Sequence, residues 1–253
     1  MSTPKAGLRP ARPPRGSRKV AEPHFLETGR VIAIVGAEST GKTTLAAALA
    51  QRVTEATGLS CALVGEHLRE WCDQQGRTPL AHEQLAIAHE QQRRIDAAAA
   101  THSIVVADTT ALMTAVYSHL LFNDPSLVPL AVAAHRRTAL TLLTALDLPW
   151  VPDGLQRDGP QVRQPVDQAL RALLVEHRLS WSVIGGQGNA RLEQAFDAAS
   201  GLLAALAPAG ERSSGLFSRL RARDAAMPVW NWVCEKCDVP DCEHAALRSL
   251  QRG

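Results

Sequence analysis

The sequence predicts an α/β domain: a parallel sheet with helices on both faces and a small Cys-rich C-terminal tail. Three observations predict the domain. Apolar runs alternate with helical patterns from residue 30 to about 206. Each intervening stretch is long enough for the crossover helix that a parallel strand pair requires. The first apolar run passes directly into a glycine-rich turn and then a helical pattern, which is the strand–loop–helix order of a βαβ unit.

The strand candidates are Val31–Val35, Ser60–Val64, Ser103–Ala107, Leu140–Leu146 and Trp181–Ile184. The first, VIAIV, reads as a fully buried strand. Gly36-Ala37-Glu38-Ser39-Thr40-Gly41-Lys42-Thr43 follows it and matches the phosphate-loop pattern G-x-x-x-x-G-K-[ST]. Gly36 and Gly41 let the backbone turn so that successive N–H groups face phosphate oxygens. Lys42 would reach the β- and γ-phosphates, and the Thr43 hydroxyl, followed by Thr44, would ligate Mg²⁺. Leu45, Leu49 and Val53 then repeat at a four-residue spacing as the apolar face of a helix whose N-terminus adds its positive end to the site. The fold class is thus a P-loop NTPase, with ATP and Mg²⁺ as the implied ligands.

Bulk composition narrows the class further. The apolar fraction of 45% supports a sizeable core, and a net charge of +2 gives no general case for nucleic-acid binding. No apolar run approaches the ~20 residues of a membrane span. Residues 1 to 28 are a basic, proline-rich leader without apolar periodicity or the apolar core of a secretory signal. Residues 29–206 form the predicted domain, 207–228 a linker and 229–253 the Cys/Trp-rich tail. The cysteines make no spread, even framework, which with ATP use points to the reducing cytoplasm.

In parallel sheets, ligands bind beyond the carboxyl ends of the strands. Glu66 follows the second strand. It would take a proton from an acceptor hydroxyl, hold sugar hydroxyls, or equally cap a helix start. Arg69 lies one helical turn on. Asp108 follows the third strand, where a carboxylate supports Mg²⁺ in phosphate-loop proteins, although an N-cap would use the same residue. Thr109 stands where hydrolytic motors place a second acid, which favours transfer to an acceptor over hydrolysis. Residues 149–164, PWVPDGLQRDGPQVRQ, hold Arg157 and Arg163 in a stretch that reads either as a lid bringing cations to the transition state or as a solvated loop. Gly185-Gly186 after the fifth strand reads as a close approach to a nucleobase or as a plain turn.

Taken in order, GAESTGKTTLAAALA, GEHLREW, IAHEQQRRIDAA, VVADTTALMTAVY and PWVPDGLQRDG resemble the ribosylnicotinamide kinase domain of the NadR-like, AAA-type P-loop family, over roughly residues 30 to 205. The resemblance implies a nucleoside-kinase-like fold and ATP-dependent phosphorylation of nicotinamide riboside at its 5′-hydroxyl, in NAD salvage. It implies Glu66 as the acceptor-side carboxylate, Asp108 as the metal-side carboxylate, and Asp153 with Arg157 and Arg163 in the lid. Trp71 would supply the aromatic wall for a pyridinium ring. The larger members carry a DNA-binding module and a nucleotidyltransferase motif. Neither pattern occurs in this sequence, so repression and adenylyl transfer are not implied.

The tail holds Cys234, Cys237, Cys242 and His244, the ligand types and spacing of a small closed zinc site. Three free thiols are the plainer alternative. Cys61 and Cys72 fall in a strand and a helix as core residues. Two function classes remain: a small-molecule kinase, and a nucleotide-binding regulatory or adaptor protein that meets a protein partner through the tail. If the tail binds zinc, the purified chain will contain about one Zn²⁺ per monomer, and acidification will release it as the thiolates protonate. Elemental analysis of protein purified without chelators checks this.

Overall fold

The computed structural model describes residues 28–151 and 159–206. Five strands form one parallel sheet: β1 (Arg30–Val35), β2 (Cys61–Val64), β3 (Ile104–Asp108), β4 (Leu140–Thr144) and β5 (Ser182–Ile184), in the order β2-β3-β1-β4-β5. The seven described helices are α1 (Lys42–Thr57), α2 (His67–Gln75), α3 (Gln84–Ala99), α4 (Ala111–Phe122), α5 (Val128–His135), α6 (Arg163–Glu176) and α7 (Gly188–Leu206). All five predicted strands are present. The largest boundary change is in β4, which ends at Thr144, two residues before the expected Leu146.

Strand alternation divides the core. Ile32, Ile34, Ile104, Val106, Leu142 and Ile184 point to one face, where Leu45, Leu49 and Val53 of α1 meet Phe196, Ala199 and Leu203 of α7. Val35 and Leu143 point to the other face, against α4, α5 and α6, while Val105 and Ala107 pack on Ile95 and Ala99 of α3. Both faces of each central strand are buried, which is why the strands read as continuous apolar runs and not as alternating ones. Cys72 is fully buried as expected; Cys61 is only half-buried. Among the described residues, no helix is long and apolar enough to cross a membrane.

Because every strand runs the same way, the five carboxyl ends share one edge. The order reverses between β3-β1 and β1-β4, so the phosphate loop after β1 opens at the switch point where a crevice forms. A buried polar joint braces this region. His135, at the end of α5, places Nδ1 3.3 Å from the Thr110 hydroxyl and Nε2 2.8 Å from the Thr141 hydroxyl, linking α5 to the start of α4 and to β4.

Burial lowers the His135 pKa from 6.5 to about 4. The unfolded chain therefore takes up this proton more readily than the folded one. The stability this histidine contributes is complete above about pH 6.5 and is lost as the pH falls toward 4, by up to roughly 3 kcal/mol at ~1.36 kcal/mol per pH unit. In urea unfolding, the stability gap between the wild type and His135→Asn will narrow as the pH falls from 7 to 4.5.

Candidate active site

The phosphate loop owes its shape to its contact with β4. Gly36 has φ +150°, and a Cβ there would lie 2.1 Å from the Thr144 hydroxyl oxygen. Thr144 occupies that space and meets the Thr40 hydroxyl at 2.6 Å. Thr40 in turn donates to the Ala37 carbonyl at 2.8 Å, and its own carbonyl accepts from Arg191 Nη2 at 2.9 Å. Gly41, at φ +74°, turns the chain into α1. Ser39 donates to the Val151 carbonyl at 2.6 Å and accepts from the Val151 N–H at 3.2 Å, which ties the loop to the segment after β4. Lys42 folds back along the loop, with Nζ donating to the Ala37 carbonyl at 2.9 Å.

Asp108 ends β3 opposite Ile34 and is 2% exposed. Burial raises its pKa, and a hydrogen bond from the Thr43 side chain works in the opposite direction. Its Oδ1 is buried with no hydrogen-bond partner among the described residues. Thr110, not Asp108, caps α4, accepting from the Leu112 N–H. The capping alternative for Asp108 therefore has no support here. A buried carboxylate with a spare oxygen, bonded to the phosphate-loop threonine, suits a hard divalent cation. Thr43 and Asp108, the two residues the sequence offers for Mg²⁺, stand within hydrogen-bond reach of each other. Among the described residues, no group of three or more His, Cys, Asp or Glu side chains is placed to bind a metal by itself. Cys234, Cys237, Cys242 and His244 lie outside the described residues.

Beside Asp108 a cavity of about 760 Å³ opens between α2, α4 and α6, with Glu38 and Lys42 of the phosphate loop in its wall. Glu66 is the N-cap residue of α2 by backbone position, but its side chain makes no capping bond. It faces the cavity, 3.5 Å from Arg69 Nε. Leu68, Leu80, Leu120 and Leu121 make the far walls apolar. Among the described residues, the aromatic side chains lining the cavity are Tyr117 and Phe122. Trp71 is not among the lining residues; it stands under the Arg77 guanidinium at 5.0 Å. Helical spacing explains this, because Leu68, Arg69, Cys72 and Asp73 share the cavity face of α2 and position 71 falls on the opposite side.

Arg163 opens α6, is 8% exposed and donates to the Leu148 carbonyl at 2.9 Å. Its Nε and Nη2 are buried without partners among the described residues. It is thus a buried cation with spare donors, not a surface arginine. Asp153 and Arg157 lie outside the described residues.

Two residues of this edge were missed by sequence reasoning. Arg191, 4% exposed, bonds the Asp147 carboxylate and the carbonyls of Gly186 and Thr40. Burial works against charge on Asp147, but Arg191 and the Gly186 N–H outweigh it and lower the pKa. Gly185 donates its N–H to Gln194, so both amides of this glycine pair are taken up in building a turn into α7. The only available signal was position, since Asp147 follows β4 and Arg191 follows the glycine turn.

A family model described as an AAA domain matches residues 31–191. Among solved structures, a NadR protein in complex with NAD and AMP-PNP is similar with a TM-score of 0.54 and 22% identity, covering 69% of this chain and 49% of that one. A NadR protein in complex with NR is similar with a TM-score of 0.53 and 21% identity, covering 70% of this chain and 52% of that one. This chain spans about half the length of those proteins, and at such identity the likeness establishes the fold alone. No curated protein matches.

Lys42→Ala will abolish measurable AMP-PNP binding by calorimetry while leaving the circular dichroism spectrum unchanged. Asp108→Asn will instead raise the Mg²⁺ concentration needed for half-maximal nucleotide binding by about 10-fold or more, the scale expected for losing a charged contact of ~1.5–3 kcal/mol.

Proposed function

The chain belongs to the AAA domain family, and from that premise we propose that it is an ATP-dependent phosphotransferase whose acceptor is a nucleoside, with nicotinamide riboside the first candidate. The observation that carries this reading is a single cavity with Lys42 and Glu38 of the phosphate loop in one wall and Glu66 and Arg69 in another. A protein that only binds or hydrolyses nucleotide has no use for a roomy chamber with an acidic group beside the phosphate end. The partly apolar walls with Tyr117 and Phe122 suit a flat ring, and the carboxylates suit sugar hydroxyls. The NadR structures that share the fold contain NAD with AMP-PNP, or NR, which makes nicotinamide riboside the first acceptor to try.

In this reading the phosphate-loop amides and Lys42 hold the donor phosphates. Glu66, kept in place by Arg69, receives the proton of the attacking hydroxyl or orients the sugar that carries it. Arg163 offers two unused guanidinium donors to charge that develops on the transferred group. Mg²⁺, when bound at Thr43 and Asp108, would neutralise charge on the donor phosphates. Zinc in the tail and a protein partner there remain part of the proposal for residues 229–253.

A coupled ADP-release screen across nucleosides, with ATP and GTP as donors, tests this. Nicotinamide riboside or a related nucleoside will stimulate ADP release and appear as its 5′-monophosphate. Glu66→Gln will lower that turnover by about 100-fold, within the range of lost acid–base catalysis, with little change in AMP-PNP affinity. ADP release that no acceptor stimulates would instead favour the regulatory or adaptor reading.

A further inference from the structure

Two polar side chains of the cavity have no individual partner in the account above. Glu38 lies in the phosphate loop, yet its side chain lines the cavity it shares with Glu66 and Arg69. Gln84 opens α3, is 1% exposed and lines the same cavity. Glu38 Oε2 and Gln84 Oε1 are both buried with no hydrogen-bond partner among the described residues.

Both atoms are hydrogen-bond acceptors. A buried acceptor without a donor carries its full desolvation cost, so these two atoms mark where a ligand must bring donors. The Gln84 amide could rotate and present its NH₂ instead. A carboxylate has no such option, so Glu38 fixes the requirement. Glu66 differs from it, because Arg69 already engages its carboxylate.

We propose that Glu38, although part of the phosphate loop, reads the acceptor and not the nucleotide. Its carboxylate accepts a hydrogen bond from a ribose hydroxyl other than the one phosphorylated, and Gln84 binds a second polar group of the same molecule. The acceptor class is thereby narrowed to ribonucleosides over their deoxy counterparts. This rests on the nucleoside-kinase reading. It also explains how one loop serves both substrates: its backbone N–H groups and Lys42 face the phosphates while the Glu38 side chain faces the acceptor.

The test crosses protein and substrate variants. Wild type, Glu38→Ala, Glu38→Gln and Gln84→Met are assayed on the best ribonucleoside from the screen and on its 2′-deoxy and 3′-deoxy analogues. AMP-PNP affinity is measured on each protein. Glu38→Ala will raise the acceptor KM about 10-fold or more, as loss of a hydrogen bond to a charged group implies, and will leave AMP-PNP affinity within about twofold. One deoxy analogue will carry a similar penalty on the wild type and little further penalty on Glu38→Ala, because both changes remove the same bond. Glu38→Gln, which keeps an acceptor oxygen, will recover part of the loss, and it stands in if Glu38→Ala fails to fold. Gln84→Met will raise KM for the ribonucleoside and both analogues alike. An AMP-PNP affinity that falls with an unchanged acceptor KM overturns the proposal. So does a deoxy penalty of equal size in wild type and Glu38 variants. If the wild type binds AMP-PNP and phosphorylates no nucleoside, the kinase reading fails, and this proposal fails with it.

Discussion

The site depends on how closely the phosphate loop lies against the end of β4. The Thr144 hydroxyl sits where a side chain at Gly36 would be and meets the Thr40 hydroxyl at 2.6 Å. Each hydroxyl also has a backbone acceptor in reach, Thr40 the Ala37 carbonyl at 2.8 Å and Thr144 the Val35 carbonyl at 3.3 Å, so either one can donate to the other. The loop is thereby fastened to the strand that also carries Leu148 and Val151 to it. Lys42, Thr43 and the start of α1 follow from where the loop ends. A methyl group at position 36 would push the loop away from β4 and move them all.

Arg191 fastens the other side. A guanidinium this buried is costly unless its donors are used, and Arg191 uses Nη1 and Nη2 on the Asp147 carboxylate and the carbonyls of Gly186 and Thr40, while Nε has no partner among the described residues. Removing Asp147 would leave the Arg191 charge buried without its carboxylate, whereas Asp147 itself is exposed. The pair joins three strand ends: β1 through Thr40, β4 through Asp147 and β5 through Gly186. Its value lies in fixing those ends relative to one another more than in any net gain from the ion pair itself.

The centre of the sheet was legible because each central strand is buried on both faces and so reads as an unbroken apolar run. The phosphate loop was legible because its conformation demands particular residues at fixed spacing. Thr43, where the phosphate loop enters α1, and Asp108, at the end of β3, meet through a side-chain hydrogen bond. What was hidden depends on side chains finding each other across the fold. The end of β4 was misplaced because Ala145 and Leu146 look like strand residues, whereas the chain leaves the sheet to bring Asp147 to Arg191. Trp71 looked like a wall because tryptophan suits one, but its position on α2 sends it beneath Arg77. Glu38 was absorbed into the phosphate-loop pattern, which records a backbone and says nothing about where variable side chains point.

The bond from Lys42 Nζ to the Ala37 carbonyl has a thermochemical consequence. A phosphate oxygen that engages this ammonium group trades a charge-assisted bond within the loop for one with the ligand, or shares the donor between them. Much of the heat released by the new contact is consumed in giving up the old one. Calorimetric enthalpy will therefore under-report the lysine's role, and the contact will register mainly in how affinity varies with ionic strength. The same internal bond keeps the lysine ordered beforehand, so the entropy of freezing a four-carbon side chain is already spent in folding.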